Sequence, residues 1–581
     1  MKQNQNNQKN IIRKNMIILL SIIGLMVCIA VLFPPVRRMV VDLAGQIILH
    51  KKINDYQAWY KVLLSYAMGG ICFILVFDYC ILINSGRTLV QKIKQEIKDC
   101  LSEIDFRSFI KPMLLMSGVY LLGILTIIRA NFLYMDDLGR SIEGYRGWYN
   151  WSRYVSEFFS IVVHGDTNLT DISPLPQLLA VLILSISSVL LAYIVGNKKI
   201  TIVKLLASIP LGFFPYFLAC LSFKFDAPYM ALSILACIVP FLFIARKKAF
   251  MFVSVISLLI MCMTYQAASG VYFLILILLC FRSWNKREKS YKEILSFLGI
   301  AVFVFCFAIL LFRLFIMRSY TVQNISTTMF PFPLIVTGML NNIKNYALIV
   351  NHDLGMIWKI GIALVLLFFI AKSMKQSAQK KLFSFFVSIS VIVISFIASY
   401  GVYSLLEKPL YNPRALFGFG VFLAVLCIYV VSDYKKFAIV AVLALNWCLF
   451  GFAFSYGNAL ADQARYAEFR IGILLHDLSA LYPDPDKKDI SIQLKNSIDY
   501  APSIKNIAKH YPVIEQLVPK RLGTGNEWDY CGYFPIHFNY LQSMNTDLLI
   551  DYNSLNLPVV LDSYYHTIQS DGDHILITLK H

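Results

Sequence analysis

Between residues 129 and 153 the chain sets Asp136 and Asp137 side by side and adds Arg129, Arg140, Arg146 and Arg153, all within 25 residues. Adjacent carboxylates half-shielded from water push their pKa values apart, so one can serve as a general base. A guanidinium offers a planar fork of donors that suits the oxygens of a phosphate. Tyr134, Tyr145, Trp148 and Trp151 are interleaved with these charges, and such rings suit a membrane interface or the C–H face of a sugar. The chemistry on offer is proton abstraction beside a bound phosphate or sugar. The competing structural reading is a helix N-cap with surface ion pairs and an aromatic belt.

Other chemistries lack their residues. There is no Walker motif, Rossmann glycine fingerprint or paired-cysteine metal site, and the 9 histidines show no zincin-like spacing. Of the 12 cysteines only Cys531 falls in the C-terminal stretch, so that stretch holds no internal disulfide, which fits a bacterial surface better than an endoplasmic-reticulum lumen.

The elements that position the carboxylates are apolar runs. The chain has 581 residues, 58% hydrophobic and 15% charged, with a mean hydropathy of +0.63. That balance excludes an ordinary cytosolic enzyme, a disordered chain and a small disulfide-stapled module. A bilayer-spanning helix needs about 20 mostly apolar residues. Thirteen candidate runs lie near 16–33, 62–83, 113–128, 177–195, 205–223, 229–244, 249–265, 267–281, 294–316, 356–372, 382–400, 415–432 and 437–454. The first is too long for a cleavable signal and lacks a small-residue cleavage site. Residues 34–61 read as a surface loop or interfacial helix.

The net charge of +19 then sets orientation. With the N-terminus inside, the cytoplasmic loops hold 27 Lys+Arg against 7 Asp+Glu, and the opposite loops hold 14 against 11. This is the positive-inside asymmetry, so the basic excess describes topology, and nucleic acid is excluded as a partner. Within the runs almost no residue is charged: Asp78, Arg313 and Lys359 are, each near an expected helix end or within reach of one, which speaks against an ion-coupled transporter. The expected fold is an all-α polytopic membrane protein of about thirteen transmembrane helices with a small external α/β domain. Residues 1–112 form an N-terminal extension with two spans, 113–454 the transmembrane core with an external loop at 129–176, and 455–581 the external domain. The last ends in a hairpin, Tyr564–Gln569 and His574–Lys580 around Gly572.

The run MDDLGRSIEGYRGW followed by Arg153 resembles the bacterial polytopic Gtr-type glucosyltransferases, of the wider GT-C class. Three further stretches resemble that family in order: Lys224-Phe-Asp226-Ala-Pro, Thr264-Tyr265-Gln266 and Asn412-Pro-Arg414. The resemblance covers roughly 113–470. Two departures stand out: residues 1–112 have no counterpart, and Ser152 stands where the family commonly has glycine.

The resemblance implies a multi-pass protein of the bacterial plasma membrane that moves a sugar, glucose by default, from a polyprenyl-phosphate donor. The acceptor would be an exported cell-wall or surface polysaccharide on the outer face. Asp136 or Asp137 would be the base. Arg140, Arg153, Lys224, Arg318 and Arg414 are candidates to meet the leaving phosphate, with Arg140 and Arg414 favoured. Asp226, Tyr265 and Gln266 complete the substrate-binding set, although Asp226 is equally a helix cap, and Tyr265 and Gln266 have an alternative as residues that close a turn. Arg318 has an alternative as an interface anchor, as Trp148 and Trp151 have as belt or loop-core residues. No cofactor is implied, with a divalent cation left open. The rival functions are a lipid-linked polysaccharide flippase or exporter, a polysaccharide polymerase or ligase, and a non-enzymatic scaffold.

Overall fold

The computed structural model describes residues 84–317, 321–322, 325–326, 328–432, 436–483, 491–522, 552 and 554–580. The runs expected at 16–33 and 62–83, with Asp78, Arg318, Tyr320 and Cys531, lie outside these residues.

The chain divides into two compact units. The smaller comprises Met1–Asp105, Leu242–Leu259 and Ile300–Arg318. In it, the Asn84–Ser102 helix turns Cys100 inward, and Glu96 Oε2 accepts the Ala249 N–H at 3.1 Å.

The larger unit comprises Phe106–Phe241, Ile260–Gly299 and Ser319–His581. Its longest helix, Lys436–Leu481, has 46 residues, about 69 Å at 1.5 Å per residue. It packs along Arg107–Ala130, and a Cβ at Gly457 would collide with Thr126. Small residues permit such close crossings where lipid offers no hydrophobic drive. The helix runs unbroken through residue 455, where the composition changes. Past that point Tyr456, Leu460, Gln463, Ala467, Arg470, Ile471, Leu474 and Leu478 form a buried stripe at helical spacing.

Among the described residues seven helices are long and apolar enough to cross a membrane: Arg107–Ala130, Leu175–Val195, Gln266–Asn285, Tyr291–Ile316, Met356–Lys375, Lys381–Ser399 and Lys436–Leu481. The expected thirteen crossings are therefore not confirmed, since seven such helices, or eight with a bent pair, lie among the described residues and two of the runs lie outside them. The run at 205–223 breaks at Phe214 into Ile202–Phe213 and Pro215–Ser222, bent by 64°. The run at 415–432 gives only the 14-residue helix Gly418–Val431, about 21 Å against a hydrocarbon core of about 30 Å. Ala227–Phe243 is likewise short, and Lys247–Cys262 has 16 residues. Every residue of Gly418–Val431 and of Pro215–Ser222 is buried. Such segments are apolar because protein surrounds them, and hydropathy cannot tell that from lipid.

Near the C-terminus four strands lie in the order Ser491–Lys495, His574–Leu579, His566–Ser570, Val559–Asp562. The first pair is parallel and the others antiparallel. The expected hairpin is present, with Gly572 at φ +104° in its turn. Ile575, Ile577 and Leu579 face a core shared with Ile492, Leu494, Ile568 and the Lys436–Leu481 helix, whereas Leu576 packs with Tyr552 and Leu557. This is the alternation a strand imposes.

Candidate active site

The Arg107–Ala130 helix ends at Asn131, in the left-handed region at φ +47°. Met135 has the same φ, so the chain turns sharply just before the carboxylates. Asp137 opens the short helix Asp137–Glu143, and Asp136 stands at its N-cap position without a side-chain cap bond. The N-cap alternative therefore fails for Asp136. Its half-exposed carboxylate instead faces Arg414, with Oδ2 3.7 Å from Nη1.

Asp137 is fully buried. Its Oδ2 accepts the N–H groups of Tyr134 and Lys224, each at 3.0 Å, and its buried Oδ1 has no hydrogen-bond partner. Burial pushes the carboxyl pKa up to about 7, against the opposing pull of the two N–H groups and Arg140.

Arg140 lies on the same short helix and is 6% exposed. It pairs directly with Asp226, and its guanidinium sits 4.2 Å over the Trp148 indole. Trp148 Nε1 donates to the other oxygen of Asp226 at 2.5 Å. Asp226, at the N-cap position of Ala227–Ile238, makes no cap bond, so its alternative as a cap also fails. Trp148 belongs to the loop core, 1% exposed. Lys224 Nζ is held by Asn131 Oδ1 at 2.6 Å and Asp171 Oδ2 at 2.7 Å. The Arg140, Asp226 and Lys224 charges are thus paired and hydrogen-bonded, as burial demands.

Arg414 sits in the short turn Pro413–Ala415. Its guanidinium lies 5.3 Å over the Phe223 ring, its buried Nε has no hydrogen-bond partner, and its carbonyl accepts the Tyr265 hydroxyl at 3.1 Å. The guanidinium of Arg153 lies 4.6 Å over the ring of the same Tyr265 and 6.0 Å from the Trp151 ring. Burial lowers the Arg153 pKa, with Tyr265 and Tyr403 as the largest opposing influences. Among the described residues no carboxylate pairs with Arg153, and its Nε has no hydrogen-bond partner. Gln266 Nε2 donates to the carbonyls of Cys262 at 2.7 Å and Trp151 at 3.4 Å, which fits the turn-closing role.

Ser152 adopts φ +59°, the left-handed conformation that glycine takes freely. The serine therefore keeps the turn that presents Arg153. Gly144 has φ +67°, and a Cβ there would collide with Asn168.

The structure thus brings Asp136 to Arg414, Asp137 to Lys224, Arg140 to Asp226, and Tyr265 to both Arg153 and Arg414. Asn131, Tyr134, Asp171 and Phe223 support these groups without having been singled out for that role. Asn131, Asp171 and Phe223 reach their partners across 53 residues or more, so no local spacing announces them, whereas Tyr134 meets Asp137 three residues away. Among the described residues no group of three or more His, Cys, Asp or Glu could hold a metal ion.

Comparison with known proteins adds a family. Residues 125–431 match the family described as glucosyl transferase GtrII. The chain is 25% identical over 447 residues to an uncharacterized 55.3 kDa protein from the gtrB 5' region of Salmonella phage P22, covering 73% of this chain and 88% of that one. No solved structure matches. The family match takes in both carboxylates and all three arginines, Arg140, Arg153 and Arg414, and the chain belongs to the GtrII glucosyl transferase family.

Proposed function

We propose that the protein transfers a hexose, glucose by family, from a polyprenyl-phosphate donor to a hydroxyl of an exported surface polysaccharide. The reaction takes place at the outer face of a bacterial plasma membrane, in the manner of GT-C enzymes, with the N-terminus inside and the C-terminal domain outside. The observation that carries this reading is the half-exposed Asp136 carboxylate opposite Arg414, with Arg153 nearby and paired with no carboxylate among the described residues.

In the reaction the acceptor oxygen attacks the anomeric carbon. The bond from that carbon to the phosphate oxygen breaks, its electron pair leaves with the polyprenyl phosphate, and the acceptor proton passes to Asp136. Asp136 suits the base because it is open to a substrate, whereas both faces of Asp137 are enclosed. The phosphate gains charge as it leaves, and preorganised cations at that spot stabilise the transition state. Arg153 and Arg414 fill this role. Arg140 is engaged by Asp226 and Trp148, and Lys224 by Asn131 and Asp171, so their part is to hold the loop.

Comparison of surface glycans in cells with and without the protein tests the reading. Loss of one side-branch sugar from a polymer that is still exported supports transfer. Loss of the whole polymer points to a flippase or polymerase instead.

A further inference from the structure

The family match ends at residue 431, yet the turn that carries Asp136 is gripped from the far end of the chain. The Tyr134 hydroxyl donates to the Leu517 carbonyl at 2.9 Å. Arg521 donates to the Leu133 carbonyl, and its guanidinium lies 4.4 Å over the Phe132 ring. On the other side of the carboxylates, Leu138 is buried in one cluster with Ile471, Ile498, Leu522 and Ile577. Residues on both sides of Asp136 and Asp137 therefore rest on the C-terminal module.

The grip acts on a segment that needs one. Asn131 and Met135 bracket Phe132–Tyr134, both at φ +47°; Asn takes this conformation readily past a helix end, whereas Met135 keeps it only because its surroundings impose it. Arg521 is itself fixed, 5% exposed, with its carbonyl accepting the Ile498 N–H at 2.9 Å. Tyr134 also links the grip to the carboxylates, because its backbone N–H donates to Asp137 while its hydroxyl is held by Leu517.

We propose that Arg521 is a positioning residue for the transfer reaction. By holding the Leu133 carbonyl, together with the Leu517 carbonyl that holds Tyr134, the C-terminal module fixes how far Asp136 reaches toward the acceptor hydroxyl. The module is then a working part of the active site rather than a cap. This rests on the assignment of Asp136 as the base.

The test uses the purified full-length protein in vesicles, with a polyprenyl-phosphate-glucose donor and a polysaccharide acceptor, and compares kcat and KM. A displacement of about 1 Å in a reacting group costs on the order of 100-fold in rate. Arg521→Met is expected to lower kcat by about 10- to 100-fold on that basis, with both KM values within about threefold of wild type. Arg521→Lys keeps a donor near Leu133 and recovers most of the loss. Tyr134→Phe removes the second contact and lowers kcat in the same way, and the double variant loses less than the product of the two. A kcat within about twofold of wild type in folded Arg521→Met, or in Tyr134→Phe if the former does not accumulate, overturns the proposal. Asp136→Asn separates the two assignments. If it is active, the base assignment has failed; if it is inactive while Arg521→Met keeps its kcat, only the positioning proposal has.

Discussion

Asp136 and Asp137 are neighbours in sequence and opposites in environment. One carboxylate is half exposed and faces Arg414 across 3.7 Å. The other is sealed, with two backbone N–H groups on Oδ2 and nothing on Oδ1. A pair that reads in sequence as two interchangeable acids is thus divided into an open carboxylate and a buried one that organises the turn.

The pH dependence of stability follows from Asp137. Its folded pKa, about 7, lies above its ordinary 3.8 because of burial. The folded state therefore binds more protons than the unfolded state between those values, and stability falls as pH rises through that window. The contribution is complete below pH 4 and lost above about pH 7. Asp137→Asn removes this dependence, so its thermal midpoint relative to wild type should rise from pH 5 to pH 8, by up to a few kcal/mol in stability. A difference that does not change with pH would contradict the burial of an ionisable carboxyl here.

Breaking the Arg140–Asp226 pair should be a folding defect. Asp226→Ala leaves a buried guanidinium without its partner, and such losses cost about 3–5 kcal/mol. Thermal unfolding in detergent measures it. Arg140→Met combined with Asp226→Leu should cost less than the two single changes together, because no uncompensated charge remains.

Arg153 should behave differently. Among the described residues no carboxylate is orphaned by its removal, so Arg153→Ala should fold normally and lose about 2.7–4 kcal/mol of transition-state stabilisation, read as kcat/KM for the donor. Arg153→Lys should rescue little, since an ammonium offers neither the fork nor the stacking surface over Tyr265. Wild-type kcat/KM in Arg153→Ala would remove it from the phosphate site.

Much of the candidate site could be named in sequence because Asp136, Asp137, Arg140 and Arg153 fall in one short loop. The Asp-Asp pair, Arg153 and Arg414 could be named from residue type and family pattern alone. The use each residue is put to was not legible. Arg140 looked as fit for a phosphate as Arg414, and only the long-range contact with Asp226 shows that it is committed elsewhere. The terminal hairpin was readable from alternation around Gly572, whereas hydropathy alone does not separate a span from a segment buried in protein. Gly418–Val431 and Pro215–Ser222 are as apolar as a span but are wrapped in protein. The grip of Leu517 and Arg521 on residues 133–134 crosses more than 380 residues, and no periodicity encodes it.

Orientation is separately testable. The loop charges predict an outer C-terminal domain, so an impermeant thiol reagent applied to intact cells should label Cys531, the one cysteine beyond residue 454. Labelling that requires lysis would invert the topology and move the carboxylates to the cytoplasmic side.

The most direct test of the account is sugar transfer by Asp136→Asn and Asp137→Asn, each purified and supplied with a polyprenyl-phosphate-glucose donor and polysaccharide acceptor. Removal of a general base costs about 10²–10⁴-fold, and that loss is predicted for Asp136→Asn, with donor binding kept and a smaller loss for Asp137→Asn. Transfer by folded Asp136→Asn at the wild-type rate would contradict the assignment of Asp136 as the base.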